Sequence, residues 1–204
     1  MNRLTRKLFT PGPAGDIEVE IDDPEGPPRG VMVLCHPHPV HGGSMSNKVV
    51  QTLARAFTQI GYRAVRFNFR GVGASQGQWD EGRGELDDAM AVIHAHRDPL
   101  LPLALGGFSF GAYIAACAAQ GLATQAPAER LVLVGPATSS FPVPAVPADT
   151  VVVHGELDDV VPLAATLDWA RPQALPVIVL PGVGHFFHGQ LNVLKSQVLQ
   201  AWHR

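Results

Sequence analysis

The sequence predicts an α/β fold, with a mostly parallel central sheet covered by helices on both faces, in a single domain spanning residues 1–204. Two observations carry this reading. Short apolar runs alternate with helix-patterned segments almost from end to end, and repeated strand–helix alternation implies right-handed crossovers between parallel strands. Most runs from Val31 onward are apolar at successive positions, which is how strands buried on both faces read.

Taken in order, the first expected strand is Ile17–Ile21, followed by Val31–Cys35. The helix Asn47–Ile60 comes next: Val49, Val50, Leu53, Ala54, Phe57 and Ile60 form one apolar stripe at helical spacing. Gly61 ends it, as a helix C-terminal glycine does. The strand Ala64–Phe69, the helix Glu85–His96 and the strand Leu103–Phe108 continue the alternation. The acids Glu85, Asp87 and Asp88 open their helix and complement its dipole, while His94 and His96 read as surface or boundary residues. Then come the helix Ala112–Ala119 and the strands Leu131–Val134 and Thr150–His154. The helix Leu163–Trp169, the strand Val177–Leu180 and the helix Leu191–Trp202 complete the chain. The Pro-rich stretch Phe141–Pro147 is expected to be a surface loop, since the rhythm resumes at once after it.

Composition narrows the class. The chain is 46% hydrophobic and 16% charged, enough apolar material for a packed core and too apolar for a disordered chain. Its net charge of −3 gives no general attraction to nucleic acid or anionic lipid. The basic start, Arg3, Arg6 and Lys7, is followed by Leu8-Phe9-Thr10-Pro11-Gly12, which is no signal-peptide core. No apolar run approaches the length of a membrane span. Cys35 and Cys117 sit in apolar segments and read as buried free thiols. A cytoplasmic protein without cofactor, nucleic-acid or membrane partner is expected, acting on a small molecule.

Two segments match G-x-S-x-G, and context separates them. Ser109 in Gly107-Phe108-Ser109-Phe110-Gly111 follows an apolar run and precedes a strong helix former, the strand–turn–helix of a nucleophile elbow. Glycines flank such a serine because the turn is sharp and strand and helix must approach closely. The helix N-terminus then favours a developing oxyanion, to which the Phe110 N–H can donate. Ser75 in Gly73-Ala74-Ser75-Gln76-Gly77 is followed by polar loop and reads as structural. An acid and a base are required downstream, in that order. Glu156, Asp158 and Asp159 compete for the acid role. Asp158 is preferred because it sits in a strand-end loop ahead of the helix that Pro162 starts, whereas Asp159 suits a helix cap. Of the remaining histidines, His185 follows a strand through the Gly-rich loop Pro181–Gly184, a flexible reach that brings an imidazole over the serine. His188 is the second choice, and His203 sits near the end of a helix.

With these residues in place, the sequence resembles the α/β-hydrolase superfamily over nearly its whole length. It is most similar to small cap-less bacterial serine hydrolases with a His-Pro-His-Pro-x-x-Gly-Gly segment. The resemblance rests on His36-Pro37-His38-Pro39-Val40-His41-Gly42-Gly43, on Arg70–Ser75, on the serine elbow, on His154-Gly155-Glu156-Leu157-Asp158 and on Gly184-His185. It implies an esterase acting by an acyl-enzyme, with Ser109, Asp158 and His185 catalytic and a second oxyanion N–H from the segment after Cys35. Pro37 and Pro39 have no N–H, so His38 is the expected donor, with Val40 the alternative. Asn68 replaces the aspartate usual before Arg-Gly-x-Gly-x-Ser. Superfamily lids usually follow the strand matching Leu131–Val134; Gly135–Asp149 is too short for one. An open cleft lined by Val40, Phe108, Phe110, Val161, Phe186 and Phe187 is therefore expected, with Phe108 the residue most apt to be core instead.

Two rival functions come from the same residues. His36, His38 and His41 are spaced similarly to the His-x-His-x-Asp-His zinc segment of metallo-β-lactamase-like enzymes, and three imidazoles at that spacing suit zinc. Val40 stands where the aspartate would be. The other rival is a non-catalytic ligand-binding member of the fold, since fold does not determine function.

Overall fold

The computed structural model describes residues 5–203; Arg3, part of the basic start, lies outside them. Eight strands form one sheet in the order β1-β2-β4-β3-β5-β6-β7-β8. They are β1 (Arg6–Gly12), β2 (Gly15–Asp22), β3 (Gly30–Cys35), β4 (Tyr62–Phe67), β5 (Leu103–Phe108), β6 (Arg130–Val134), β7 (Val151–Gly155) and β8 (Val177–Leu180). β1, β2 and β4 pair antiparallel at one edge, and every pairing from β4 through β3 to β8 is parallel. The helices are α1 (Lys48–Gln59), α2 (Arg83–His96), α3 (Phe110–Leu122), α4 (Leu163–Ala170) and α5 (Leu191–Trp202).

The continuous apolar strands have the expected cause. In β3, Val31, Val33 and Cys35 enter a core with side chains of α2 and α3, while Met32 and Leu34 enter a second core with those of α1 and α5. Alternate residues point to opposite faces, so both must be apolar when both faces are covered. In α1 the apolar stripe is buried, Asn47 caps the helix by accepting the Val49 N–H at 2.8 Å, and Gly61 takes φ +89° just beyond its end. Ser109 begins α3 and Pro162 begins α4.

Several elements begin or end a few residues from the expected bounds, α3 among them (Phe110–Leu122 against Ala112–Ala119), and two further differences concern β1 and β4. β1 was not expected: its partly exposed pattern lacks a continuous apolar run, and Pro11 is tolerated because the strand is at the sheet edge. β4 begins and ends two residues before the expected Ala64–Phe69. Phe67 is the last registered residue, yet the Asn68 main-chain N–H still donates to the Glu18 carbonyl at 2.9 Å. The Asn68 side chain accepts the Met45 N–H and donates to Glu18, and the Phe69 N–H donates to His36 Nε2.

Candidate active site

Parallel sheets place functional groups beyond the carboxyl ends of their strands, where the loops converge. Here β3, β5, β7 and β8 deliver His36–Gly43, Ser109, Asp158 and His185 to one end of the sheet. Ser109 sits at φ +57°, a left-handed conformation costly for a residue with a Cβ. Its N–H donates to the Val134 carbonyl at 2.9 Å, which ties the turn to β6. The flanking glycines are obligatory by contact. A side chain at Gly107 would run into the Gly111 carbonyl, and one at Gly111 into the carbonyls of Cys35 and His36. The same close approach packs the first turn of α3 against the start of the His36–Gly43 loop.

Ser109 Oγ lies 3.0 Å from His185 Nε2, and His185 Nδ1 lies 2.6 Å from Asp158 Oδ2. The other Asp158 oxygen accepts the N–H groups of Val160 at 3.0 Å and Val161 at 2.7 Å. Burial alone would raise the Asp158 pKa; the His185 hydrogen bond, the Val161 N–H and the two nearby imidazoles outweigh it and hold the carboxyl below its ordinary range. An ionised Asp158 therefore orients an imidazole whose other nitrogen faces a serine hydroxyl. That arrangement can deprotonate the hydroxyl as it attacks.

Ser109 is 8% exposed, on the wall of a cleft of about 410 Å³ that also touches Pro37, His38, Asn47, Val160, His185 and Phe186. A sub-sequence from Glu25's neighbour Gly26 to Pro162 matches a protein-family model described as "Serine aminopeptidase, S33", over residues 26–162. A crystal structure of a lidless α/β serine hydrolase from Xanthomonas campestris superimposes with a TM-score of 0.91 at 36% identity, covering 100% of this chain and 96% of that one.

The chain belongs to the α/β serine hydrolase family.

A Coxiella burnetii α/β serine hydrolase homologue is 38% identical to this hydrolase over 96% of both chains, with a TM-score of 0.83. An uncharacterized Rickettsia prowazekii protein is 38% identical over 117 residues, which span 53% of this chain and about half, 47%, of that curated relative.

Within the hydrolase the competing residues separate clearly. Glu156 and Asp159 are exposed, and Glu156 accepts the Gly182 N–H. His188 is exposed against the Phe186 ring, and His203 is exposed after α5. The loop carrying His185 is anchored rather than a flexible reach: Phe187 is fully buried, and the His185 ring lies 4.8 Å from that of Phe108. Ser75 is structural, its hydroxyl donating to the Asn68 carbonyl and accepting the Glu18 N–H.

Several expected cleft residues are elsewhere. Phe108, Phe110 and Phe187 are all fully buried. Phe108 and Phe187 belong to the α1/α5 core and Phe110 to the α2/α3 core. Val161 is also buried, because its N–H and carbonyl turn inward to Asp158 and His154; its neighbour Val160 lines the cleft instead. Val40 is 63% exposed and lies outside the cleft wall. Phe186 does line it.

The three histidines of the His36–Gly43 loop do not converge. His36 is fully buried, its Nδ1–H donating to the Pro37 carbonyl and its Nε2 accepting the Phe69 N–H. Both contacts require the neutral ring, and burial lowers its pKa to about 3 against the pull of the Pro37 carbonyl. His38 accepts the Val40 N–H and its ring lies among those of Trp79, His41, Phe110 and Phe141. Among the described residues no group of three or more His, Cys, Asp or Glu is arranged to hold a metal ion.

Two contributors escaped the sequence reading. Asn47 lines the cleft while capping α1. His154 is fully buried with its Nε2 3.4 Å from Asp158 Oδ2. Its position four residues before Asp158 was the available signal, but only the folded loop turns the two side chains together.

Proposed function

We propose that this protein is a carboxylesterase that works through an acyl-enzyme formed on Ser109. The observation that carries this reading is the unbroken contact chain from Asp158 Oδ2 through both nitrogens of His185 to Ser109 Oγ, opening on a cleft. His185 Nε2 takes the hydroxyl proton as Oγ attacks the acyl carbon, and the imidazolium then gives that proton to the departing alcohol. Asp158 keeps the proton on Nδ1 and stabilises the imidazolium. The N–H groups of Phe110 and His38 receive the oxyanion, since Pro37 and Pro39 have none to offer. Water, deprotonated by His185, then attacks the acyl-enzyme; the carboxylic acid leaves and Ser109 regains its proton.

The family model's description names a serine aminopeptidase. An exopeptidase of that kind must hold a substrate ammonium, which calls for a carboxylate in the cleft. Among the described residues the cleft wall presents no carboxylate, which speaks against an exopeptidase that anchors its substrate by that ammonium.

The test is labelling with a fluorophosphonate, read by intact mass, together with hydrolysis of short p-nitrophenyl esters. One adduct on the wild type, none on Ser109→Ala, and loss of ester turnover in that variant are expected, with little change in Tm. Ester turnover that survives in Ser109→Ala would take the nucleophile role away from Ser109. An unlabelled protein that turns over no activated ester would favour a non-catalytic ligand-binding role.

A further inference from the structure

The cleft at Ser109 does not end at Phe186. Asn47 and Phe186, which line it, also line a smaller hollow of about 150 Å³ beside Lys48 and Leu191. Leu191 and Gly189 are shared in turn with a hollow of about 340 Å³ bordered by Thr52, Arg55 and Lys195. The shared walls make one groove that leaves the serine over Phe186 and runs along the packed helices α1 and α5.

The charge on this groove is one-sided. The chain carries 18 Asp and Glu and has a net charge of −3, yet residues 26–79 and 169–204 contain neither acid. Both helices and the loop carrying Phe186 fall within those acid-free stretches. Lys48, Arg55 and Lys195 therefore border the two outer hollows with no carboxylate on their walls. Among the described residues none of the three cations forms an ion pair. Arg55 bonds Gln51 and also borders a separate hollow bearing Asp23 and Glu25, so it marks the far limit of the acid-free region. Near the serine the groove offers apolar surface: Phe186 is 47% exposed and Val160 51% exposed. An apolar stem leading to unpaired cations is complementary to a molecule with an apolar chain and a charged end.

We propose that this groove binds the anionic end of an extended acyl substrate, a terminal carboxylate or phosphate, whose apolar stem lies over Phe186. This rests on the reading of Ser109 as the acyl acceptor. Lys48 and Lys195 then act on specificity, not on the chemical step, and their attraction is screened by salt.

The experiment compares p-nitrophenyl octanoate with its ω-carboxy and ω-phosphono counterparts, reading the ratio of kcat/KM for charged over neutral ester. The wild type is expected to favour a charged ester. The Lys48→Ala/Lys195→Ala double variant should lose about threefold to tenfold of that ratio, the scale of one or two exposed ion pairs. The Lys48→Arg/Lys195→Arg double variant should retain it, and added salt should erase it. A stronger preference for the ω-carboxy or the ω-phosphono ester tells which anion is read. An equal ratio in the wild type and the alanine variant overturns the proposal while leaving Ser109 as nucleophile. If no ester is turned over through Ser109, the esterase reading fails. The groove is then judged by calorimetric binding of the same esters to Ser109→Ala protein, where equal affinity for charged and neutral forms overturns it.

Discussion

His154 reaches the same carboxylate oxygen as the imidazole facing Ser109: His154 Nε2 stands 3.4 Å and His185 Nδ1 2.6 Å from Asp158 Oδ2. His154 Nε2–H also donates to the Val161 carbonyl at 2.9 Å, and the Val161 N–H donates to Asp158 Oδ1 at 2.7 Å. Val161 thus links the two, accepting from His154 and donating to Asp158, and so helps hold the carboxyl in place. Burial lowers the His154 pKa, against the Val161 carbonyl and the Asp158 charge, and the Thr166 hydroxyl sits beside its other nitrogen at 3.3 Å.

His154→Ala would leave the Val161 carbonyl buried without its donor. A loss of about 1–3 kcal/mol in urea unfolding is expected. Because Asp158 loses its brace, kcat for a short ester should fall with little change in KM. An unchanged kcat would confine His154 to holding the fold.

Asp158→Asn keeps the shape of the acid but not its charge. A drop of about 10³- to 10⁴-fold in kcat is expected, since the amide favours the wrong tautomer of His185. His185→Ala should cost a comparable factor because the three groups act as a unit. Steady-state kinetics on p-nitrophenyl esters reads both, and retained activity in His185→Ala would transfer the base role to His188.

Gly111→Ala drives a methyl group into the Cys35 and His36 carbonyls, which are backbone and cannot rotate away. Overpacking of this kind costs about 1–3 kcal/mol, and more where the backbone must move. The expected outcome is a lower Tm together with weaker ester turnover, because the elbow and the His38 loop are forced apart. Gly121→Ala, with nothing close to the added carbon, is the control and should be neutral or stabilising.

Acid should destabilise this protein through His36. Its pKa falls from an ordinary 6.5 to about 3 on folding, so between those values the unfolded chain binds the proton and the native state does not. Stability then rises with pH across that window, by about 1.4 kcal/mol per pH unit for the one group, and the contribution is flat above it. Urea unfolding at pH 6 and pH 4 should show a shallower loss in His36→Gln than in the wild type, even though the variant is weaker at both. Equal slopes would mean that His36 is not the group taking up the proton.

The elbow was legible because its signals are local. Glycines on either side of Ser109, an apolar run before it and a helix former after it are all neighbours in the chain, and φ/ψ preferences act between neighbours. The strands from Val31 to Leu180 and all five helices were legible for the same reason, since a short continuous apolar run and a stripe of period 3.6 are both written in neighbouring residues. The antiparallel edge strand Arg6–Gly12 was not, because a half-exposed strand with a proline carries no continuous apolar run.

What the sequence by itself determined, then, is the alternation of strands and helices and the strand–turn–helix that carries Ser109. Tertiary structure alone decided that Asp158 rather than Glu156 or Asp159 meets His185, that Val160 rather than Val161 faces the cleft, and that α1 and α5 bring Lys48 and Lys195 to one groove. The physical reason is reach. The bonds joining Asp158 to His185 and His185 to Ser109 cross 27 and 76 positions of chain. Which side chain lies within 3 Å of another across such distances is settled by how loops pack, not by the residues beside them.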